Sequence, residues 1–250
     1  MPQRTSGLAA WRYGLALLVF AGVSVPAEAC DKASFTILLD VGHTPAAPGA
    51  ISARGKTEYA FNLALTGAIE RALTARGYAA GRLGAGASAQ RASRRAGSIG
   101  ASGADLMLSV HHDSAQPRYF ESWTYEGRER AYSDRFKGWS IFVSQSGRDP
   151  AGSLAFARKL GDQLKARGWP FTRHHAEPIP GEGRALIDPS RGIYRRDDLA
   201  VLRSSPGPAA LLEAGVIVNR DEELALESSS RRAAIADAVA DAVDGFCAAR

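Results

Sequence analysis

The 250-residue sequence contains five histidines, at 43, 111, 112, 174 and 175. Three of them follow short apolar runs. His43 lies three residues beyond Phe-Thr-Ile-Leu-Leu-Asp (35–40), and His111 and His112 come directly after Asp-Leu-Met-Leu-Ser-Val (105–110). Such runs read as buried strands, and in open α/β sheets ligands bind in the crevice beyond the carboxyl ends of strands. Two imidazoles are thus delivered to one edge of a sheet. Glu213 reaches the same edge at the end of Ala-Ala-Leu-Leu-Glu. A carboxylate there is costly to bury without a partner, so a metal, a cation or a reacting group is expected beside it. Glu58 opens a helix after the His43 loop, where the helix dipole alone would explain an acid. With His43 and His111 it also completes two imidazoles and a carboxylate, a set suited to catalytic zinc with a fourth position left for water.

The elements that must position these groups alternate between strand and helix. Apolar residues at helical spacing (Phe61, Leu65, Ala68, Ile69, Leu73) follow Thr57, a plausible N-cap, and stop at Gly77. Residues 90–101 read as a basic amphipathic helix, and 139–144 as a third strand. Residues 151–167 form a helix closed by Gly168, 208–215 hold a fourth strand, and 222–226 and 231–246 are C-terminal helices. This alternation predicts a single α/β domain, a mostly parallel twisted sheet with helices on both faces. Residues 114–137 and 173–193 read as long loops, rich in Gly, Pro and charge, of a length that is usually functional or mobile.

The ends of the chain speak to compartment. Arg4 and Arg12 precede an apolar run of eleven residues, Leu15 to Val25, and Ala27-Glu28-Ala29 gives a small-x-small cleavage pattern. Residues 1–29 are therefore expected to be a secretory signal peptide, too short in its apolar part to span a bilayer as a helix. An uncleaved anchor, or a lipoprotein modified at Cys30, are the alternatives. No later stretch is long or apolar enough to cross a membrane. Removing residues 1–29 changes the formal charge from +5 to +4. That is a mildly basic surface suited to an anionic polymer, not the dense basic stripe of a nucleic-acid binder. Cys30 and Cys247 are the only cysteines, and in an oxidising compartment a pair is expected to form a disulfide, here one tying the two ends of the mature chain together.

Several segments carry a family resemblance. Asp-Val-Gly-His-Thr-Pro (40–45), Pro-Gly-Ala (48–50) and the Glu58 helix resemble the opening of the zinc-dependent N-acetylmuramoyl-L-alanine amidases, the cell-wall amidases. Ala104 through His111 looks like that family's second histidine strand. Val201-Leu202-Arg203, Pro208 through Asn219, and Asp221-Glu222-Glu223 resemble its closing segment. The likeness covers about residues 35–245, in order. It implies that His43, Glu58 and His111 are ligands of Zn2+, that Glu213 is the catalytic acid/base, and that His112 lies beside the metal and not on it. Thr44-Pro45, Gly84, Ile99-Gly100 and Val216 depart from the family pattern, which touches substrate fit and not the ligand set.

The implied chemistry is hydrolysis of the amide between N-acetylmuramic acid and the L-alanine of the peptidoglycan stem peptide. Zinc would acidify a water and polarise the carbonyl, while Glu213 would move the proton from water to the leaving amine. Asp40 could orient His43 from behind or merely cap the loop. Arg203 could bind a stem-peptide carboxylate or be a solvated residue at a helix end. His174 and His175 share a loop with Glu177 and Glu182. That loop reads most simply as solvated surface, the alternative being a lid that sends an acid to the metal and is displaced by an activator protein. The expected partners are peptidoglycan or its fragments, for a monomer in the periplasm or outside the cell. No Gly-x-Ser-x-Gly or His-Glu-x-x-His occurs. A zinc carboxypeptidase on wall peptides and a non-catalytic wall-binding protein remain as rivals.

Overall fold

Apolar, β-rich runs that pair through their backbones build the centre of the molecule, for which a computed structural model describes residues 1–2, 30–86 and 92–250. The strands are β1 (Thr36–Val41), β2 (Ala79–Leu83), β3 (Leu106–Asp113), β4 (Glu121–Tyr125), β5 (Arg128–Tyr132), β6 (Ser140–Val143), β7 (Leu186–Asp188), β8 (Ile193–Arg195) and β9 (Ala209–Val216). Seven of them form one sheet in the order β2-β1-β3-β9-β6-β8-β7. The pairs β1/β2, β1/β3, β3/β9 and β6/β8 are parallel, and β6/β9 and β7/β8 are antiparallel. The sheet is thus mostly parallel, as the alternation of elements predicts.

The helices are α1 (Glu58–Ala75), α2 (Ala92–Gly100), α3 (Pro150–Ala166), α4 (Ala200–Ser204), α5 (Arg220–Glu227) and α6 (Ser229–Cys247). One face of the sheet packs Leu65, Ile69 and Leu73 of α1, Phe156 and Leu160 of α3, and Val239 and Val243 of α6 into the larger core. The other face meets Ile99 of α2 and Val201 and Leu202 of α4 in a smaller one. Helices therefore cover both faces, and the central strands, buried on both sides, are largely apolar until their carboxyl ends. Thr57 caps α1 by accepting from the Ala60 amide. Cys30 and Cys247 are bonded to each other, which fastens the start of the described fold to the last residue of α6.

Both segments expected to be long loops contain strands. Residues 114–137 include the hairpin β4/β5, whose turn at Glu126 and Gly127 has positive φ at both positions, as a two-residue primed turn requires. Residues 173–193 include β7 and run into β8, which together form the far edge of the sheet. The proposed signal segment, 1–29, lies almost wholly outside the described residues. Among those described, no helix is long and apolar enough to cross a membrane.

Candidate active site

Parallel pairing of β1, β3 and β9 sends three chain segments out at one edge of the sheet, and each delivers a polar side chain there. His43 follows β1 and adopts φ +69°, a left-handed conformation uncommon for a residue with a side chain. Such a conformation costs on the order of 1–3 kcal/mol and persists only where its surroundings hold it. Here the His43 carbonyl accepts from Arg95 Nη1 at 3.0 Å, and its ring Nε2 lies 2.9 Å from Glu58 Oε2. His111 Nδ1 lies 3.0 Å from the other oxygen, Glu58 Oε1. Two rings thus converge on one carboxylate, their centroids 5.0 Å apart.

The backbone makes room for this convergence. A Cβ at Gly42 would fall 2.6 Å from His111 Nε2, and one at Gly49 only 2.2 Å from Glu58 Oε2. Gly49 also has φ +78°, so both space and conformation call for glycine there. Glu58 is buried, which pushes its carboxyl up, but hydrogen bonds and charge from His111 and His43 outweigh burial and hold it well below the usual glutamate value. An ionised carboxylate between two imidazole nitrogens is a donor set that fits a divalent metal. One ligand atom from each of His43, Glu58 and His111 lies within 4.8 Å of the others.

A layer of residues behind the set fixes its geometry. Asn62, one helical turn after Glu58 on α1, donates from Nδ2 to Glu58 Oε1 at 3.2 Å and to the Gly42 carbonyl at 3.1 Å. Its Oδ1 lies 2.8 Å from His112 Nδ1. Burial depresses His112 to about 3, so the ring is neutral and its Nδ1–H donates to Asn62. His112 therefore lies beside the set, bonded to Asn62 behind it. The bonds of Asp40 do not include one to the His43 ring. Its carboxylate accepts from Ser109 Oγ at 2.7 Å and forms an ion pair with Arg95 Nε at 3.4 Å. Its influence runs through Arg95, whose Nη1 donates to the carbonyls of Val41 and His43.

Glu213 stands directly opposite His111 in the β3/β9 register. Its Oε2 is buried without a hydrogen-bonding partner. Burial, then repulsion from Asp113 and Glu58, pushes the carboxyl well above the usual glutamate value. The sequence pattern set the expectation of a metal, a cation or a reacting group beside this carboxylate. Two cavities flank His111. One, of about 320 Å³, is lined by His43, Thr44, Arg95 and the start of α4. The other, of about 270 Å³, is lined by Glu213, Asp113, His175, Glu182 and two arginines, Arg184 and Arg196. Arg203 lines neither. It is exposed and donates to the Asp197 carbonyl, as a residue at the end of α4 does.

The His174–His175 segment is not solvated surface. Both histidines are buried, at 3% and 8% exposure. His175 bonds through Nε2 to Asp113 Oδ2 at 2.8 Å and through Nδ1 to Glu182 Oε2 at 3.1 Å. Neither acid of the segment bonds to His43, Glu58 or His111. Glu182 also accepts from Gln116 at 2.8 Å, and Glu177 accepts from the Tyr119 hydroxyl at 3.0 Å. The segment walls the second cavity instead of capping the first. Asn62, Arg95 and Asp113 carry no sequence expectation. The one signal available was a polar residue on the inward stripe of α1 at Asn62.

A family model described as N-acetylmuramoyl-L-alanine amidase matches residues 37–245. An N-acetylmuramoyl-L-alanine amidase of Mycobacterium tuberculosis is 32% identical over 96 residues, which is 38% of this chain and 34% of that protein. The match thus spans about a third of that curated relative's length. The crystal structure of an N-acetylmuramyl-L-alanine amidase from Mycobacterium smegmatis aligns with TM-score 0.66 and 22% identity, over 88% of this chain and all of that one. The CwlD amidase of Clostridioides difficile, solved in complex with the GerS lipoprotein, aligns with TM-score 0.63 and 18% identity, over 86% of this chain and 100% of that one. At these identities the structural matches establish the fold.

Proposed function

The chain belongs to the N-acetylmuramoyl-L-alanine amidase family, and from that premise we propose that it hydrolyses the amide joining N-acetylmuramic acid to the L-alanine of the peptidoglycan stem peptide, using His43, Glu58 and His111 as zinc ligands and Glu213 as acid/base. The observation that carries this reading is the pairing of His111 with Glu213 across β3 and β9. It sets an unpartnered buried carboxylate oxygen beside a histidine–carboxylate–histidine set. A binding protein has no need of that combination.

Zinc held by this set would supply Lewis acidity, acidifying a water and polarising the scissile carbonyl. The chain's own residues do the rest. Glu58, ionised between the two rings, holds both imidazoles in place. Asn62 and His112 keep Glu58 from rotating away. Arg95, paired with Asp40, pins the strained His43 backbone. Glu213 accepts the proton of the attacking water and delivers it to the departing amine of L-alanine. Once it has taken that proton, burial and repulsion from Asp113 and Glu58 favour its keeping it until the amine departs.

We take residues 1–29 as an export signal and residues 30–250 as the catalytic domain, acting in the periplasm or outside the cell. The Cys30–Cys247 bond supports an oxidising compartment. An activating partner is part of the same proposal, by analogy with the complexed CwlD structure.

Digestion of purified peptidoglycan tests the reading. Release of stem peptides with free L-alanine amino ends is the expected result. Trimmed peptide C-termini would make the protein a carboxypeptidase, and intact wall would make it a binder.

A further inference from the structure

Asp113, His174 and His175 form a second convergent cluster that the proposed reaction does not use. The two rings lie with centroids 4.0 Å apart, and both present Nε2 to the same atom, Asp113 Oδ2, at 2.8 Å from His175 and 3.4 Å from His174. We propose that these three residues form a second divalent-cation site that takes zinc or a similar nitrogen-loving transition metal and fastens the 172–184 segment to the end of β3.

Three features of the cluster point that way. First, the opposite ring nitrogens are already occupied. His175 Nδ1 faces Glu182 Oε2 at 3.1 Å, and His174 Nδ1 faces Thr172 Oγ1 at 2.7 Å. Metal-binding histidines characteristically have one nitrogen anchored in this way, which fixes the tautomer and turns the other lone pair toward the ion. Second, the spacing is right. Ligands about 2.1 Å from a tetrahedral zinc lie roughly 3.4 Å from one another. The cluster's nitrogen–oxygen separations of 2.8 and 3.4 Å need only a small expansion, similar to that of the 2.9 and 3.0 Å separations around Glu58. Third, the cluster is closed. The side chains of His174, His175 and Asp113 are 2%, 10% and 11% exposed, and Phe136 and Phe142 pack against the rings. Buried charge without a partner is expensive, and a cation here answers the carboxylates of Asp113 and Glu182 together.

The rival arrangement puts a proton on each Nε2. It makes His175 an imidazolium between Asp113 and Glu182, and burdens Asp113 Oδ2 with two donors from adjacent rings. Counting bound metal separates the two. This proposal does not rest on the amidase reading, because the His43–Glu58–His111 set can be removed independently.

The experiment starts from the purified protein stripped with dipicolinate, retitrated with Zn2+, dialysed, and assayed for metal by elemental analysis. Two zinc ions per chain are expected, falling to one in His43→Ala and to one in Asp113→Asn or His174→Gln. Co2+ added to His43→Ala should give visible absorption bands of a nitrogen-ligated, low-coordinate ion, a readout that does not depend on the Asp113 variant folding. A single zinc in the parent protein that His43→Ala abolishes, with no cobalt bands in that variant, would overturn the proposal. A single zinc that survives His43→Ala and disappears in His174→Gln would support it and sink the first metal set instead.

Discussion

Asn62 holds Glu58 in place across one turn of α1, its amide 3.2 Å from Oε1, while its own oxygen takes the Nδ1–H of His112 at 2.8 Å. A residue with no charge thus links the proposed metal carboxylate to a neutral, buried histidine. Removing such support behind metal ligands typically weakens metal binding about 10–100-fold. Asn62→Ala should do so here, and should also destabilise the fold by about 1–3 kcal/mol, because the buried His112 N–H is left unsatisfied. Chelator competition for zinc and a urea melt of the same variant check the two effects. Unchanged zinc affinity would remove Asn62 from the site.

Glu213→Gln keeps the shape of β9 and removes only the ability to exchange a proton. It should retain zinc at parent stoichiometry and lower peptidoglycan turnover about 10²–10⁴-fold, the range that general acid/base groups contribute. The buried, partnerless Oε2 makes the amide tolerable structurally. Turnover within a few-fold of the parent would reject the assigned role.

The sequence announced this site unevenly, for physical reasons. His43, His111 and Glu213 were legible because apolar runs ended in residues that cannot stay buried alone. Glu58 followed a capping threonine. Strand β2, Ala-Ala-Gly-Arg-Leu, has no apolar run because it is the edge of the sheet. In the hairpin β4/β5, Trp123 and Tyr125 alternate with Ser122 and Thr124, while β5 opens on Arg128, Glu129 and Arg130, so composition disguised its period. His174 and His175 looked solvated because the acid that buries them, Asp113, lies 61 and 62 residues away. Arg95 and Asn62 likewise owe their roles to partners distant in sequence, which local pattern does not encode.

The Cys30–Cys247 bond closes a loop of 217 residues by sequence separation. Cross-links over loops that long restrict the unfolded chain strongly, and losing one typically costs 2–5 kcal/mol. Reduction, or Cys247→Ala, should lower Tm by about 5–15 °C. Thermal melts with and without reductant measure this, and Cys247→Ala should abolish the reductant effect. A reductant-dependent drop that persists in Cys247→Ala would point to some other cause.

Acid should loosen the contacts that tie the ends of α1 and α3 to α6. Arg76, the cap of α1, donates to Asp241 at 2.7 Å and to Asp244 at 2.8 Å on α6, and Arg167, the cap of α3, donates to Asp241 at 2.6 Å. Burial pushes both carboxyls up, but for Asp241 the bonds from Arg167 and Arg76, and for Asp244 those from Lys32, Tyr78 and Arg76, outweigh it and hold them below the usual aspartate value. A carboxylate depressed in the folded state stabilises it at all pH above the unfolded value of about 3.9, and that contribution disappears as pH falls through the folded value. These groups are about a third exposed, so solvent screens them. Arg76→Met should therefore lower Tm by only about 2–4 °C at pH 7. The gap between variant and parent should narrow as pH falls below the ordinary aspartate value of about 3.9. Melts from pH 7 to pH 2 follow it directly. A gap that stays constant across that range would mean that Arg76 stabilises the helix ends by packing its stem, with the carboxylates of α6 contributing nothing measurable.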